Sequence, residues 1–154
     1  MIDLPPELPE PTPVSSTLVY ECANYAAKHY DVSPYIVLSI IDVENGQKGT
    51  VSKNSNNTYD LGVMQINTIH LPEIKTNFPQ VDWKVLAYEP CVNIGVGTWI
   101  LSKRIKEAGD LWKGVGNYHS RTPKYHRIYL NKIYKAYKRV LSKYLSSDIK
   151  KEIK

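Results

Sequence analysis

Two carboxylates stand where they could do chemistry. Glu44 closes the apolar run Tyr35-Ile36-Val37-Leu38-Ser39-Ile40-Ile41-Asp42-Val43, and Asp60 follows sixteen positions later at the head of Asp60-Leu61-Gly62-Val63-Met64-Gln65-Ile66-Asn67. Ile36, Ile40 and Glu44 are four apart, so on a helix the carboxylate shares a face with two isoleucines. A carboxylate at the end of an enclosed apolar helix is poorly solvated, which favours its neutral form and raises its pKa. That is the property of a general acid working near neutral pH. A second carboxylate facing it across a cleft completes the working parts of glycosidic bond cleavage. The plain alternatives are a solvated Glu at a helix end and an Asp bonded to backbone N–H groups beside a strand. Of the neighbours, Gly62 by itself marks only a bend. Gln65 carries a side-chain amide that can both donate to and accept from sugar groups.

These residues need elements to hold them. Ser33 offers an N-cap hydroxyl and Pro34 suits the first helical position, so a helix is expected over Pro34–Asn45 with Gly46 as its stop. Its apolar residues lie nearly all round, the mark of a helix enclosed by protein. Leu18, Val19, Cys22, Tyr25, Ala26 and His29 keep helical spacing and predict an earlier helix from Ser16 to Tyr30. Gly46 to Asn57 reads as a polar loop of a length that borders a site, and Thr58 to Met64 as a short extended segment or hairpin. Further helices are expected near Thr68–Lys75, Trp83–Tyr88, Pro90–Ala108 with Gly109 as stop, and Leu111–Tyr118 capped by Asp110. Thr122-Pro123 starts a last one that reaches about Leu145. The class is α+β, mostly α with a small β element.

The chain of 154 residues is long enough for one domain with a real core and too short for two ordinary ones. Pro5, Pro6, Pro9, Pro11 and Pro13 make residues 1–14 a flexible lead; 15–146 form the domain, and 147–154 a basic tail. Residues 121–154 hold 11 Lys and Arg against 2 Asp and Glu, a net +9, whereas residues 1–120 hold 9 against 13, a net −4. A basic terminal helix suits an acidic cell wall, an anionic membrane surface or a protein partner. Tyrosines interleave with its lysines, but no nucleic-acid motif accompanies them, so no nucleic-acid partner is expected. No apolar run is long enough to span a membrane. His29, His70, His119 and His126 show no metal-ligand spacing. Cys22 and Cys91, the only cysteines, exclude a CxxC motif and leave either two free thiols or one long-range disulfide.

Glu44 followed by Asp60-Leu61-Gly62-Val63-Met64-Gln65-Ile66-Asn67 resembles the active-site segment of the lysozyme superfamily, most closely the lytic transglycosylases of bacterial secretion, conjugation and pilus systems. A second segment, Gly114-Val115-Gly116-Asn117-Tyr118-His119-Ser120, is similar to the Ala-Tyr-Asn-Ala-Gly stretch of that family at Tyr118 and departs from it at His119 and Ser120. Tyr129, before Asn131-Lys132-Ile133, resembles the last tyrosine of the pattern. The resemblance spans roughly Tyr20 to Ile133. It implies a lysozyme-like fold with the β element beside the cleft. It also implies Glu44 and Asp60 as catalytic residues and Gly62, Met64, Gln65, Asn117, Tyr118 and Tyr129 as substrate-binding ones. No cofactor or metal is implied. The family often ties its first helix to an Asp-Pro-Cys segment, here Glu89-Pro90-Cys91, which implies a Cys22–Cys91 disulfide and an oxidising compartment such as the periplasm. The opening residues lack a signal-peptide pattern, so a mature or trimmed form is expected. The implied activity is non-hydrolytic cleavage of peptidoglycan to anhydro ends, opening the wall locally for a secretion or conjugation apparatus. The alternatives are hydrolysis of the same bond by a muramidase, and a non-catalytic wall-binding assembly protein.

Overall fold

In the computed structural model, which describes residues 2–145, helix ends are set by local chemistry: side-chain caps, prolines at first turns and left-handed residues at the ends. Helix α1 spans Ser16–Tyr30 and α2 Pro34–Glu44. After α1, Asp31 takes φ +55 and Val32 N–H reaches back to the Ala27 carbonyl at 2.9 Å, closing the helix end. Helices α3 (Leu71–Asn77), α4 (Trp83–Tyr88), α5 (Pro90–Ala108), α6 (Leu111–His119) and α7 (Pro123–Val140) follow, and a π-helical turn over Leu141–Leu145 continues α7. Asp82 and Asp110 cap α4 and α6 by accepting from Val85 N–H at 2.9 Å and Lys113 N–H at 2.8 Å. Gly109, at φ +66, ends α5 as expected. Thr122 places Pro123 at the first turn of α7 but makes no side-chain cap.

The β element is a three-stranded antiparallel sheet in the order β1-β2-β3: β1 Val51–Lys53, β2 Tyr59–Leu61 and β3 Ile66–Asn67. Strand β1 lies inside the stretch expected to be polar loop. Its three residues, with Val51 opposite Leu61 and Lys53 opposite Tyr59, carry too little alternation to announce a strand; pairing with β2 makes one. The segment read as one helix near Thr68–Lys75 is a 3-10 turn, Thr68–His70, followed by α3. Asn67 caps that turn, its Oδ1 accepting from Ile69 N–H at 2.9 Å.

Two compact units emerge, one formed by the chain up to Ala23 with Glu44–Gly97, the other by Asn24–Val43 with the chain from Thr98 onward. In the first, the buried apolar side chains include Leu61, Val63, Met64, Ile66, Ile74, Leu86 and Ile94. The proline-rich lead enters this unit at one point, where Thr12 and Lys48 exchange backbone hydrogen bonds of 2.9 and 3.0 Å. In the second, Ile36, Val37, Leu38 and Ile40 of α2 are buried, as are Leu101, Val115, Tyr129, Ile133 and Ala136. Gly114 lets α6 press against α5, since a Cβ there would lie 2.4 Å from Ile105 Cα. The basic tail assigned to 147–154 lies outside the described residues.

Cys22 of α1 and Cys91 of α5 are joined in a disulfide, with Cα atoms 5.4 Å apart and 69 residues of separation. Closing a loop of that length restricts the unfolded chain by about 4 kcal/mol. Replacing both cysteines with serine is therefore expected to lower the unfolding free energy by about 4 kcal/mol, read from urea denaturation of the oxidised parent beside the variant.

Candidate active site

Glu44 is the last residue of α2 and is half-buried. The side chains four and eight positions before it, Ile40 and Ile36, are 0% and 2% exposed, so the carboxylate does extend from a buried apolar face. The chain then turns sharply, and the residue that makes the turn is Asn45, at φ +55, rather than Gly46. Asn is among the few residues that enter the left-handed region at low cost. Gly46 has another role. A Cβ there would meet the Gly62 carbonyl oxygen at 1.8 Å, so the two backbones pass in direct contact and leave no room for a side chain.

That contact brings the chain after Glu44 onto the turn Gly62-Val63-Met64-Gln65, which joins β2 to β3. Gln65 N–H donates to the Gly62 carbonyl at 3.1 Å, and Gln65 Nε2 donates to the same oxygen at 2.9 Å. Gln65 itself sits at φ +51. A left-handed glutamine is uncommon and costs on the order of 1 kcal/mol, and such strain persists only where the surroundings over-determine it. The half-buried amide is thereby fixed in direction, and its Oε1 keeps the chemistry of an acceptor.

The clamp beneath this turn is a residue that the sequence reading passed over. Asn93 of α5 is 0% exposed. Its Nδ2 donates to the Leu61 carbonyl at 2.8 Å and to the Leu86 carbonyl at 2.9 Å, and its Oδ1 accepts from Met64 N–H at 2.8 Å. One amide thus uses both donors and its acceptor on three backbone groups. A signal was present: Asn93 shares a face with Gly97, Ile100 and Leu101, all buried, and a polar residue on such a stripe must have its bonds satisfied. Gly62 leaves room for this clamp. It is buried at φ +66, and a Cβ would lie 2.4 Å from Asn93 Nδ2 and 2.5 Å from the Leu86 carbonyl.

Asp60 occupies the centre of β2, opposite Ser52 on one side and Asn67 on the other. It is half-buried, and its Oδ1 accepts from Asn67 Nδ2 at 3.0 Å. Its partner is therefore a side-chain amide. Asn67 also donates to Thr58 Oγ1 at 3.0 Å, so one amide fixes the carboxylate, a threonine and the 3-10 turn. Met64, expected at the substrate surface, is instead 0% exposed. Its side chain fills the space left by Gly97, where a Cβ would meet its Sδ at 2.5 Å. An unbranched thioether packs well in such a gap, and Met64 belongs to the support under the turn.

In the second unit, Asn117 and Tyr118 lie on the last turns of α6 and are half-buried. Gly116 admits the His126 ring of α7, which sits where a Cβ would be, and His126 Nδ1 lies 3.0 Å from the Ser120 carbonyl. Tyr129, also expected to touch substrate, is 3% exposed, and its ring stacks at 4.6 Å and 10° on that of exposed His119. It backs the end of α6.

Two glycines at φ +66 separate strain from space. Nothing lies within 4 Å of a Cβ at Gly109, whereas Gly62 is enclosed. Gly109→Ala is expected to cost about 1 kcal/mol, the left-handed penalty alone. Gly62→Ala should cost at least ~2 kcal/mol more, as should Asn93→Ala, which leaves two carbonyls and an N–H without their buried partner. Urea denaturation of the three variants ranks them.

The transglycosylase SLT domain family matches residues 21–142. A peptidoglycan-binding-like protein of Escherichia coli O157:H7 is 34% identical over 129 residues, covering 77% of this chain and 77% of that protein. The invasion protein IagB of Salmonella typhimurium is 32% identical over 125 residues, with 78% and 77% covered. Protein IpgF of Shigella flexneri is 27% identical over 125 residues, with 78% and 81% covered. The family match contains Glu44, the turn at Gly62–Gln65, Asn93, Asn117, Tyr118 and Tyr129, and the mostly helical fold with its small sheet agrees with it. The chain belongs to the transglycosylase SLT domain family and is an enzyme of lytic glycan cleavage in peptidoglycan.

Proposed function

We propose that the enzyme breaks the β-1,4 bond between N-acetylmuramic acid and N-acetylglucosamine without water, with Glu44 as its acid and base. Protonated Glu44 donates to the glycosidic oxygen, and the bond from that oxygen to C1 of the muramic sugar breaks. Positive charge then develops on the muramic ring. The resulting Glu44 carboxylate takes the proton of the same sugar's C6 hydroxyl, whose oxygen attacks C1. The products are a 1,6-anhydro end and a free 4-hydroxyl, and Glu44 is again protonated. The observation that carries this reading is Glu44 at the exit of a buried helix, with the next residues packed against the strained turn that presents Gln65. In the first unit, Gly62, through its backbone, and Gln65 contact the glycan; Asn117 and Tyr118, backed by Tyr129, are sugar-binding candidates of the second unit taken by itself.

Asp60 supports the developing cation. Its hydrogen bond to Asn67 holds it in one orientation, and this favours a second reading in which Asp60 serves a lysozyme-type muramidase and water cleaves the bond. The Cys22–Cys91 disulfide suits an oxidising compartment, and we place the enzyme in the periplasm. The likeness to a protein named for invasion supports a task of opening the wall locally for a secretion or conjugation apparatus.

Mass spectrometry of soluble products released from peptidoglycan decides between the routes. Products lighter than the hydrolytic ones by one water are expected, and Glu44→Gln should reduce their release by at least ~10²-fold. Asp60→Asn should lower kcat by on the order of 10²-fold with the anhydro product retained. Reducing ends from the unaltered enzyme would assign the muramidase instead.

A further inference from the structure

We propose that the outer face of α7 is a docking surface for an anionic lipid bilayer, which would hold the enzyme at a membrane surface. Helix α7 has 18 residues and is about 27 Å long. Tyr129, Ile133, Ala136 and Val140 are buried. Facing outward are Lys124, Arg127, Lys132, Lys135, Lys138 and Arg139, all exposed, and no Asp or Glu occurs between Arg121 and Leu145.

The charges of this face are mostly unspent within the fold. Arg139 pairs with Asp42 at 2.7 Å, and Arg121, just before the helix, with Glu107 at 2.8 Å. Among the described residues, Lys124, Arg127, Lys132, Lys135 and Lys138 have no acidic partner. Five cations along one helix face are within the range that reads as a polybasic site for anionic lipid.

What selects a bilayer over a soluble or polymeric polyanion is the apolar surface among the cations. Ile128 is 45% exposed and falls on the helix line between Lys124 and Lys135; Tyr125 (54%) and Tyr134 (40%) flank it. A polymer of solvated carboxylates satisfies lysines and gives a bare isoleucine nothing. At a headgroup boundary, isoleucine enters the acyl edge, tyrosine rings sit at the interface, and lysine stems lie along the apolar zone with their ammonium groups on the lipid phosphates. Among the described residues no helix is long and apolar enough to cross a membrane; the contact proposed for α7 is a surface one.

The test is sedimentation of the full chain with vesicles of phosphatidylethanolamine and phosphatidylglycerol, beside vesicles of phosphatidylcholine alone. Binding to the anionic vesicles only is expected, weakening strongly between about 0.05 and 0.5 M salt. The triple substitution Lys124→Gln, Lys132→Gln and Lys135→Gln should reduce it by on the order of 100-fold, roughly fivefold for each charge. Ile128→Ser should reduce it by about tenfold while leaving the salt dependence intact. Equal binding to phosphatidylcholine, no binding to anionic vesicles, or a triple variant that binds like the parent would each overturn the assignment. So would co-sedimentation with purified peptidoglycan that is lost in the triple variant while vesicles bind nothing, which would give the face to the wall. Vesicle binding by the unaltered protein that does not weaken as salt rises would overturn it too, without any substitution.

Discussion

The side-chain amide of Asn93 is the interaction on which the architecture of the first unit rests. An asparagine has two N–H donors and one carbonyl, and here all three are used on backbone: the end of β2, the end of α4 and the turn that follows β2. In a fully buried position the alternative is an unpaired polar group, which costs about 1–3 kcal/mol for each group left behind. The clamp is thus all or nothing, and it dictates its neighbours. Gly62 must lack a side chain to let the amide in, and the turn after it must offer Met64 N–H inward. Two residues before Asn93, the disulfide at Cys91 fixes the start of α5 to α1. A covalent anchor and a saturated hydrogen-bond anchor stand within one helical turn of each other, so the helix that holds the turn is itself held.

Strain is distributed accordingly. Of the four non-glycine residues at positive φ among the described residues, Asn45 immediately follows Glu44 and Gln65 closes the turn. Left to local preference, Gln65 would relax to an ordinary conformation, since nothing in its side chain favours the left-handed region as Asn does. It is kept there by two hydrogen bonds to a single carbonyl, and that carbonyl is kept in place by Gly46 on its other side. Backbone strain concentrated beside a candidate acid and amide is the pattern expected where geometry matters more than stability.

Much of this was legible in the sequence, and the division follows the range of the forces. Helix ends set by short-range chemistry could be read directly: Asp110 as a cap, Gly109 as a stop, Pro34, Pro90 and Pro123 as starts. The burial of α2 followed from its apolar residues lying nearly all round. Elements decided by distant partners could not be read. Strand β1 exists through pairing with β2, and Asn93 acquires its meaning from groups up to 32 residues away. Gly46 illustrates the limit well. A glycine after a helix has a ready local explanation as its stop, yet Asn45 supplies the left-handed turn, and the glycine is required by a carbonyl sixteen residues on. Met64 shows the converse. Its place in a motif that resembles an active-site segment suggested contact with substrate, whereas its chemistry, apolar and flexible, suits the packing against Gly97 that it makes.

Helix α7 breaks a rule of local consistency in a way that folding alone does not reward. Lys132 and Lys135 are three apart, Lys135 and Lys138 again three, Lys135 and Arg139 four. Like charges at these spacings oppose the helix by about 0.2–0.5 kcal/mol a pair. Lys124 and Arg127 lie in the first turns, where the helix dipole disfavours cations; only Lys138 and Arg139, in the last turn, are favoured by it. A single surface pair, Arg139 with Asp42, returns at most about 1 kcal/mol. The helix is held by burial of Tyr129, Ile133 and Val140, each worth about 1.5–3 kcal/mol. Its inner face therefore has stability to spare, and its outer face spends some of it on repulsion. Acidic residues at two or three of those exposed positions would relieve the repulsion without touching the core, and their absence from Arg121 to Leu145 keeps the whole outer face at one sign. A surface that sustains such a field against its own fold is built for something outside it.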